Sequence, residues 1–508
     1  MVLARAWAVT LIGLDGHVVE VEADLAQGLP GLTLIGLPDA SLHEARDRVR
    51  AAIVNSAEQW PQRKITVGLS PASLPKRGSG FDLAMAAAVL SAHGRLPARA
   101  LDEVVLLGEL GLDGSVKPVR GALPAVLTAA RAGFARVFVP GANLREARLL
   151  PDIQVEAVAS LRDLLALLRG EPWAEGVPDE TAQQSGLTER LDMLEVAGQV
   201  VGRTAMEVCA AGGHHAFLLG PPGSGKTMLA RRLPSLLPPL DLEQALEVTA
   251  VHSVAGLLPA AHPLLERPPF QDPHHGCSAA AIIGGGSGIA RPGAASLAHH
   301  GTLFLDEAPE FSRSVLDALR QPIERGSLTI TRVGGSATYP CAFTLVLAAN
   351  PCPCAKGDRC TCTPQARRGY LGKLSGPVLD RIDLHVTVDA VTKADVMAEN
   401  GVGESSAAIA VRVLHARQRA AERYRGTPWT RNGQVPLSEL RRGWPLPATV
   451  LAPLGAALDE GRLTARGFGR VLRVAWTLAD LTDVGQPDQA LIEMALGWRQ
   501  GNDRWLAA

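Results

Sequence analysis

Residues 214–227 read HHAFLLGPPGSGKT, and this stretch decides the fold. Gly220-Pro221-Pro222-Gly223-Ser224-Gly225-Lys226-Thr227 is a complete Walker A phosphate-loop signature. The apolar run Ala216 to Leu219 predicts the strand entering the loop, and MLARRLPSLL predicts the helix leaving it. Glycines let successive backbone N–H groups turn inward around phosphates at a helix N-terminus. Lys226 is placed to reach the β and γ oxygens of ATP, and the Thr227 hydroxyl to ligate Mg²⁺. Further on, Thr302-Leu-Phe-Leu-Asp306-Glu307 is an apolar strand ending in two acids. In that pattern Asp306 holds Mg²⁺ through water and Glu307 polarises the attacking water. Either segment alone is compatible with a plain turn or a plain surface strand. The two together, in this order, predict a nucleotide-hydrolysing protein.

A chain of 508 residues is too long for one core, and about three domains are expected. The composition, 47% hydrophobic and 20% charged, is globular. A formal net charge of −1 means that no whole-protein field attracts nucleic acid, so any DNA contact needs a local basic patch. Acids interrupt the apolar N-terminal stretch MVLARAWAVTLIGLDGHVVEVEADL, and no uninterrupted apolar run reaches the roughly 18 residues of a membrane span. Four of the seven cysteines fall between positions 352 and 362, which fits a reducing compartment, the cytoplasm, better than a disulfide framework.

Residues 1–168 alternate short apolar strands (Thr33 to Ile35, Lys64 to Leu69, Val104 to Leu107, Val137 to Val139) with Ala-rich helices at 82–92 and 122–132, an α/β pattern. Residues 169–189 gather Gly, Pro and acids without periodicity and read as a linker. The nucleotide-binding α/β unit spans 190–395. From 396 to 508 the chain reads as helical, with apolar i, i+3, i+4 spacing at 411–424 and 468–481. A phosphate-loop core followed by a small helical domain is the layout of an AAA+ ATPase with its lid.

The stretches 274–311, 321–354 and 374–386, among them HHGCSAAAIIGGGSGIARPGAASLAHHGTLFLDEAPEF and LSGPVLDRIDLHV, closely resemble the magnesium-chelatase-like AAA+ family of bacteria, in its YifB/ComM branch. The resemblance runs over most of the chain. It implies a ring-forming homo-oligomer, usually a hexamer, that hydrolyses ATP and is preceded by a Lon-protease-like domain. It also implies a motor that moves branched DNA during recombination of incoming strands. Asn350, after the strand FTLVLAA, matches the sensor-1 residue that orients water. Arg381, in Leu-Asp-Arg-Ile-Asp, matches the arginine finger offered to the neighbouring subunit's γ-phosphate. An alternative for Arg381 is a surface ion pair with Asp380 or Asp383. Arg466 matches sensor 2, with Arg470 and Arg473 as rivals on nearly the same helical face. In LTITRV-GG-SATY the Gly334-Gly335 pair signals a hairpin. It matches the pore hairpin of the clade, making Arg332 a candidate DNA contact. Gln271-Asp272, Ala294 and His300 depart from common family residues.

Cys352-Pro-Cys354-x5-Cys360-Thr-Cys362 puts four thiols in one short loop after Asn350. Four thiolates can close a tetrahedral, structural Zn²⁺ site; reduced loop thiols, or a disulfide made only on oxidation, are the alternative. His274-His275 and His299-His300 are adjacent in sequence, and such side chains do not converge in a regular strand or helix. Residues 75–94 and 114–140 resemble the Lon proteolytic domain. That resemblance puts Gly80 at the nucleophile position and Leu123 at the activating-lysine position, so the peptidase is expected to be lost. Ser79 lies next to Gly80 but has no base at the matching place. Lys76 and Arg77 leave DNA or subunit contact open. A chelatase motor subunit for tetrapyrrole metal insertion shares the AAA+ core and is the runner-up. An ATP-dependent peptidase is opposed by Gly80 and Leu123. A sigma-factor-dependent activator is opposed by the lack of a GAFTGA-type loop.

Overall fold

In the computed structural model the described residues are all except 1, 37–38, 77–79, 98, 173–190, 260, 287–289, 333–334, 357–359, 398–402 and 502–508. Most of the expected linker, Arg77 and Ser79 therefore lie outside them. The N-terminal part is built on a mixed seven-stranded sheet. Its centre is a long hairpin, Val2–Ile12 against Asp15–Ala26, in register from Ile12↔Asp15 to Val2↔Leu25. Val19, Val21, Ala23 and Leu25 are buried while the acids between them face outward. The acids that break the N-terminal apolar run thus mark an alternating strand. Strands Gly31–Ile35 and Lys64–Ser70 continue the sheet on one side. Val104–Leu106, Arg136–Pro140 and Gln154–Val158 continue it on the other. Helix Asp82–Ala92 packs against the hairpin and is buried along almost its whole length, which its Ala-rich sequence permits.

The second sheet has five parallel strands: Ala216–Leu219, Phe270–Gln271, Thr302–Leu305, Thr344–Ala349 and Leu384–Thr387. Numbered in chain order they lie 5-1-4-3-2, the arrangement of an AAA+ core. The first, third and fourth are buried at every residue, as parallel strands covered on both faces must be. Their carboxyl ends deliver the phosphate loop, Asp306-Glu307 and Asn350 to one edge of the sheet.

Beyond residue 404 the structure is helical: Ser406–Arg423, Leu437–Gly443, Ala448–Asp459, Ala465–Leu481 and Gln489–Gln500. Val413, Ala416, Val474 and Ala475 share one hydrophobic core with Leu218, Val346 and Leu384 of the sheet, so this helical lid packs on the nucleotide-binding core. The Gly334-Gly335 hairpin is present as Ser327–Arg332 and Gly335–Pro340. Its register pairs Arg332 with Gly335, which puts Gly335 in the strand instead of the turn. The hairpin leans on the N-terminal sheet: a Cβ on Gly13 would stand 3.1 Å from the Thr338 carbonyl oxygen.

Candidate active site at the phosphate loop

Gly220 has no room for a side chain, since a Cβ there would meet the Val388 carbonyl oxygen at 2.0 Å. Gly225 caps helix Lys226–Leu236 with φ 88°, a left-handed conformation that favours glycine. These constraints bring the loop back over the helix N-terminus. Lys226 is buried, and its ammonium donates to the carbonyls of Gly220 and Pro221 at 2.7 and 2.8 Å. It also lies 3.4 Å from Ser224 Oγ and donates to Asn350 Oδ1 at 3.3 Å. Burial lowers its affinity for the proton, and the charges of Asp306 and Glu307 work against that shift. A phosphate oxygen would compete for the same ammonium protons, so the lysine is aimed before any ligand arrives.

Thr227 Oγ1 donates to Asp306 Oδ2 at 2.7 Å. These oxygens are hard donors of the kind Mg²⁺ prefers, and their separation allows both to reach one ion directly or through water. Glu307 follows with φ 51°, an uncommon backbone for a residue with a side chain, and its N–H donates to Asp306 Oδ1 at 2.9 Å. Its carboxylate meets His275 Nδ1 at 3.2 Å. Thr227, Arg231, Asp272, His275, Asp306 and Glu307 line a cleft of about 260 Å³. Asp272, a departure from the common family residue, pairs with Arg231 at 2.9 Å. Neither the Arg231–Asp272 pair nor the His275 contact was read from the sequence. The signal was the His-His pair itself, weighed there only as metal ligands.

Other expected site residues lie elsewhere. Arg381 pairs with neither Asp380 nor Asp383. Its guanidinium meets Glu324 at 2.6 Å and the Pro377 carbonyl at 2.6 Å, because the short helix Gly376–Leu379 turns it toward helix Arg320–Arg325. Among the three lid arginines, Arg470 is engaged by buried Asp383 at 2.7 Å and Arg473 donates to the Val435 carbonyl at 2.7 Å. Arg466 reaches Asp380 only at 3.6 Å, with its side chain 74% exposed against 17% for Arg470. It is the one of the three left accessible. Arg332 is exposed and forms no ion pair among the described residues.

The four thiols converge. Cys352 and Cys354 sulfurs are 3.3 Å apart, Cys354 and Cys360 3.5 Å, and Cys360 and Cys352 3.2 Å. All four sulfurs, Cys362 included, lie within 4.8 Å of one another. Tetrahedral sulfurs about 2.3 Å from zinc stand roughly 3.8 Å apart, so this donor set fits that ion.

Two expectations are corrected. His299 and His300 do converge: both Nε2 atoms meet Glu247 Oε2, at 3.1 and 3.0 Å, because His300 adopts φ 56°. They make a poor metal site nonetheless. His299 Nδ1 accepts from the Ala342 N–H at 3.0 Å, so its Nε2 carries the proton and donates to Glu247. Lys76 is also unavailable to DNA, being buried with its ammonium against the carbonyls of Pro71 and Leu74. At the Lon-like positions, Gly80 faces open space and Leu123 is buried, with its N–H donating to Glu146 at 2.8 Å.

With this geometry in place, similarity to known proteins decides the family. Residues 192–396 match the family model described as magnesium chelatase, subunit ChlI. Residues 21–143 match subunit ChlI of Mg-chelatase, and 403–499 its C-terminal part. The chain is 38% identical over 504 residues to competence protein ComM of Haemophilus influenzae, covering 98% of each. It belongs to the magnesium-chelatase-like YifB/ComM family. It is also 51% identical over 509 residues to an uncharacterized protein of Mycobacterium tuberculosis, covering 99% of this chain and 100% of that one. To YifB of Escherichia coli it is 40% identical over 472 residues, 92% of each. A shorter match, 31% over 171 residues, is to Lon protease of Nitrosococcus oceani, covering 32% of this chain and 22% of that protease.

Two substitutions separate the roles of the loop and the acid. Lys226→Ala should weaken ATP binding and turnover together, because it removes a ground-state phosphate contact. Glu307→Gln should keep binding and lose turnover by on the order of a hundredfold or more. Nucleotide affinity and steady-state ATPase rates measured on both variants check this. Normal turnover in the Gln variant would remove Glu307 from the chemistry.

Proposed function

We propose that this protein is a ring-forming, Mg²⁺-dependent ATPase that uses hydrolysis to move branched DNA. The observation that carries the ATPase is the cluster of Lys226, Thr227, Asp306, Glu307 and Asn350 at one edge of the parallel sheet. Gly220, Pro221, Pro222, Gly223, Ser224 and Gly225 form the cradle for the phosphates, Thr227 and Asp306 hold Mg²⁺, and Asn350 helps Glu307 orient water. Held by Thr227 and Asp306, Mg²⁺ would supply positive charge against the charge that develops on the phosphate in the transition state. Arg466 serves as the lid's sensor. Arg381 acts on the neighbouring subunit's nucleotide, a reading supported by its contact with Glu324 instead of its own phosphate loop.

DNA as the substrate rests on similarity to a competence protein and on exposed Arg332 beside the hairpin turn. One such arginine per subunit multiplies weak phosphate contacts around a ring, and near-neutral bulk charge does not oppose this. Gly80 and Leu123 in place of a nucleophile and its lysine support a Lon-like domain that has kept its fold without the peptidase. The closeness of the four cysteine sulfurs supports one structural Zn²⁺, which would brace the loop that follows Asn350. The family models' own description favours a second reading, a chelatase motor subunit acting on a tetrapyrrole partner.

Zinc is checked by elemental analysis of protein purified under reducing conditions. One zinc per chain and a lower melting temperature after chelation are expected. No metal with four freely titratable thiols would contradict the site.

The substrate is checked by ATPase rates with four-way, forked and duplex DNA. Branched forms should stimulate most, stimulation should fall steeply with salt, and Arg332→Ala should lower stimulation more than the basal rate. Indifference to every DNA at low salt would leave only the ATPase and favour the chelatase reading.

A further inference from the structure

A cleft of about 240 Å³ opens between the end of helix Lys226–Leu236 and lid helix Ser406–Arg423. It lies at the far end of the sheet from the phosphate loop. Its two anchor points, Ala210 and Gly213, precede strand Ala216–Leu219, whereas the phosphate loop follows that strand. Pro238, Pro268 and Leu414 supply apolar lining, and Arg417, Thr430 and Arg431 supply polar lining.

Two guanidinium groups therefore share one small cleft. Arg417 Nε and Nη2 both donate to the Ala210 carbonyl, at 2.9 and 2.6 Å, which fixes the group and leaves Nη1 without a protein partner among the described residues. The Arg431 guanidinium donates no hydrogen bond to a side chain or carbonyl and forms no ion pair among the described residues. It lies against the backbone of Gly213, where a Cβ would stand 3.4 Å from Nη1. Among the described residues neither arginine has a carboxylate partner there. Glu247, the acid bound to the cleft residue His300, is already engaged by both His299 and His300. Burial, and then the charge of Arg431, push Arg417 down to about 9, and burial lowers Arg431 as well. Two neighbouring half-buried cations without a counter-charge repel one another in the free fold. Paired guanidiniums are also the donor set that recognises phosphate oxygens best.

We propose that this cleft is a second anion site, distinct from the ATP site, taking a small phosphate-bearing molecule. Its phosphate sits between Arg417 and Arg431, and its apolar part lies along Pro238, Pro268 and Leu414. Arg417 belongs to the lid and Pro238 to the core, so an occupant ties one to the other.

The test is a calorimetric titration of the full chain with phenyl phosphate, with ADP and Mg²⁺ saturating so that the phosphate loop is filled. One saturable site per chain is expected, weakened on the order of tenfold or more by Arg431→Gln. Without ligand, Arg431→Gln should melt no earlier than the parent protein, because the guanidinium it removes donates to no group among the described residues. Absence of saturable binding, or binding indifferent to the substitution, would overturn the proposal. So would a variant that melts earlier without ligand, since the arginine would then be structural.

Discussion

Asp383 is the point on which the arrangement of core and lid turns. Its carboxylate is buried, accepts the His215 N–H at 2.9 Å at the entry to the phosphate-loop strand, and pairs with Arg470 of the lid at 2.7 Å. Burial alone would push this carboxyl up. The Arg470 guanidinium and the neighbouring His214 ring more than offset that and hold it well below the usual carboxylate range. A lowered carboxyl contributes stability above its unfolded value, near pH 4, and loses it only as pH falls through the folded value. The link between lid and sheet is therefore constant across neutral pH. Removing one partner would leave the other buried and uncompensated, a change of about 3–5 kcal/mol.

The same lid grips the chain around Arg381 a second time. Asp380 meets Arg499 at 3.2 Å and Arg466 at 3.6 Å. The segment Asp380-Arg381-Ile382-Asp383 is thus held by lid arginines at both ends, while Arg381 itself leans away on Glu324. A lid that shifts with the nucleotide would carry this segment with it. Under the proposed function, that would be a physical route from one subunit's ATP site to a finger offered to its neighbour.

Much of this was legible in the sequence because the signals were local. Glycine spacing, an apolar strand ending in acids and helical periodicity each depend on a few adjacent residues. They placed the phosphate loop, Asp306-Glu307, helix Asp82–Ala92 and two of the lid helices, Ser406–Arg423 and Ala465–Leu481, within about five positions of their observed ends, while the other lid helices were read only as helical sequence. The long N-terminal hairpin was missed because its outward acids disguise an alternating strand as an interrupted apolar run. The failures inside the sites are tertiary. Arg466, Arg470 and Arg473 share a helical face and are told apart only by partners distant in sequence, buried Asp383 for Arg470 and the Val435 carbonyl for Arg473. Lys76 reads as a loop cation until the carbonyls around it are known. His299 and His300 converge only because one backbone takes a left-handed turn that no pattern announces.

The central claim is that each ATP site is completed by Arg381 of a neighbouring subunit. Its most direct test mixes Arg381→Ala protein with Lys226→Ala protein, after co-assembly has been confirmed by crosslinking. Each variant alone should be nearly inactive, and the mixture should regain part of the ATPase rate. One class of interface then combines an intact phosphate loop with an intact finger. A co-assembled mixture as inactive as its components would contradict a finger that acts across the interface.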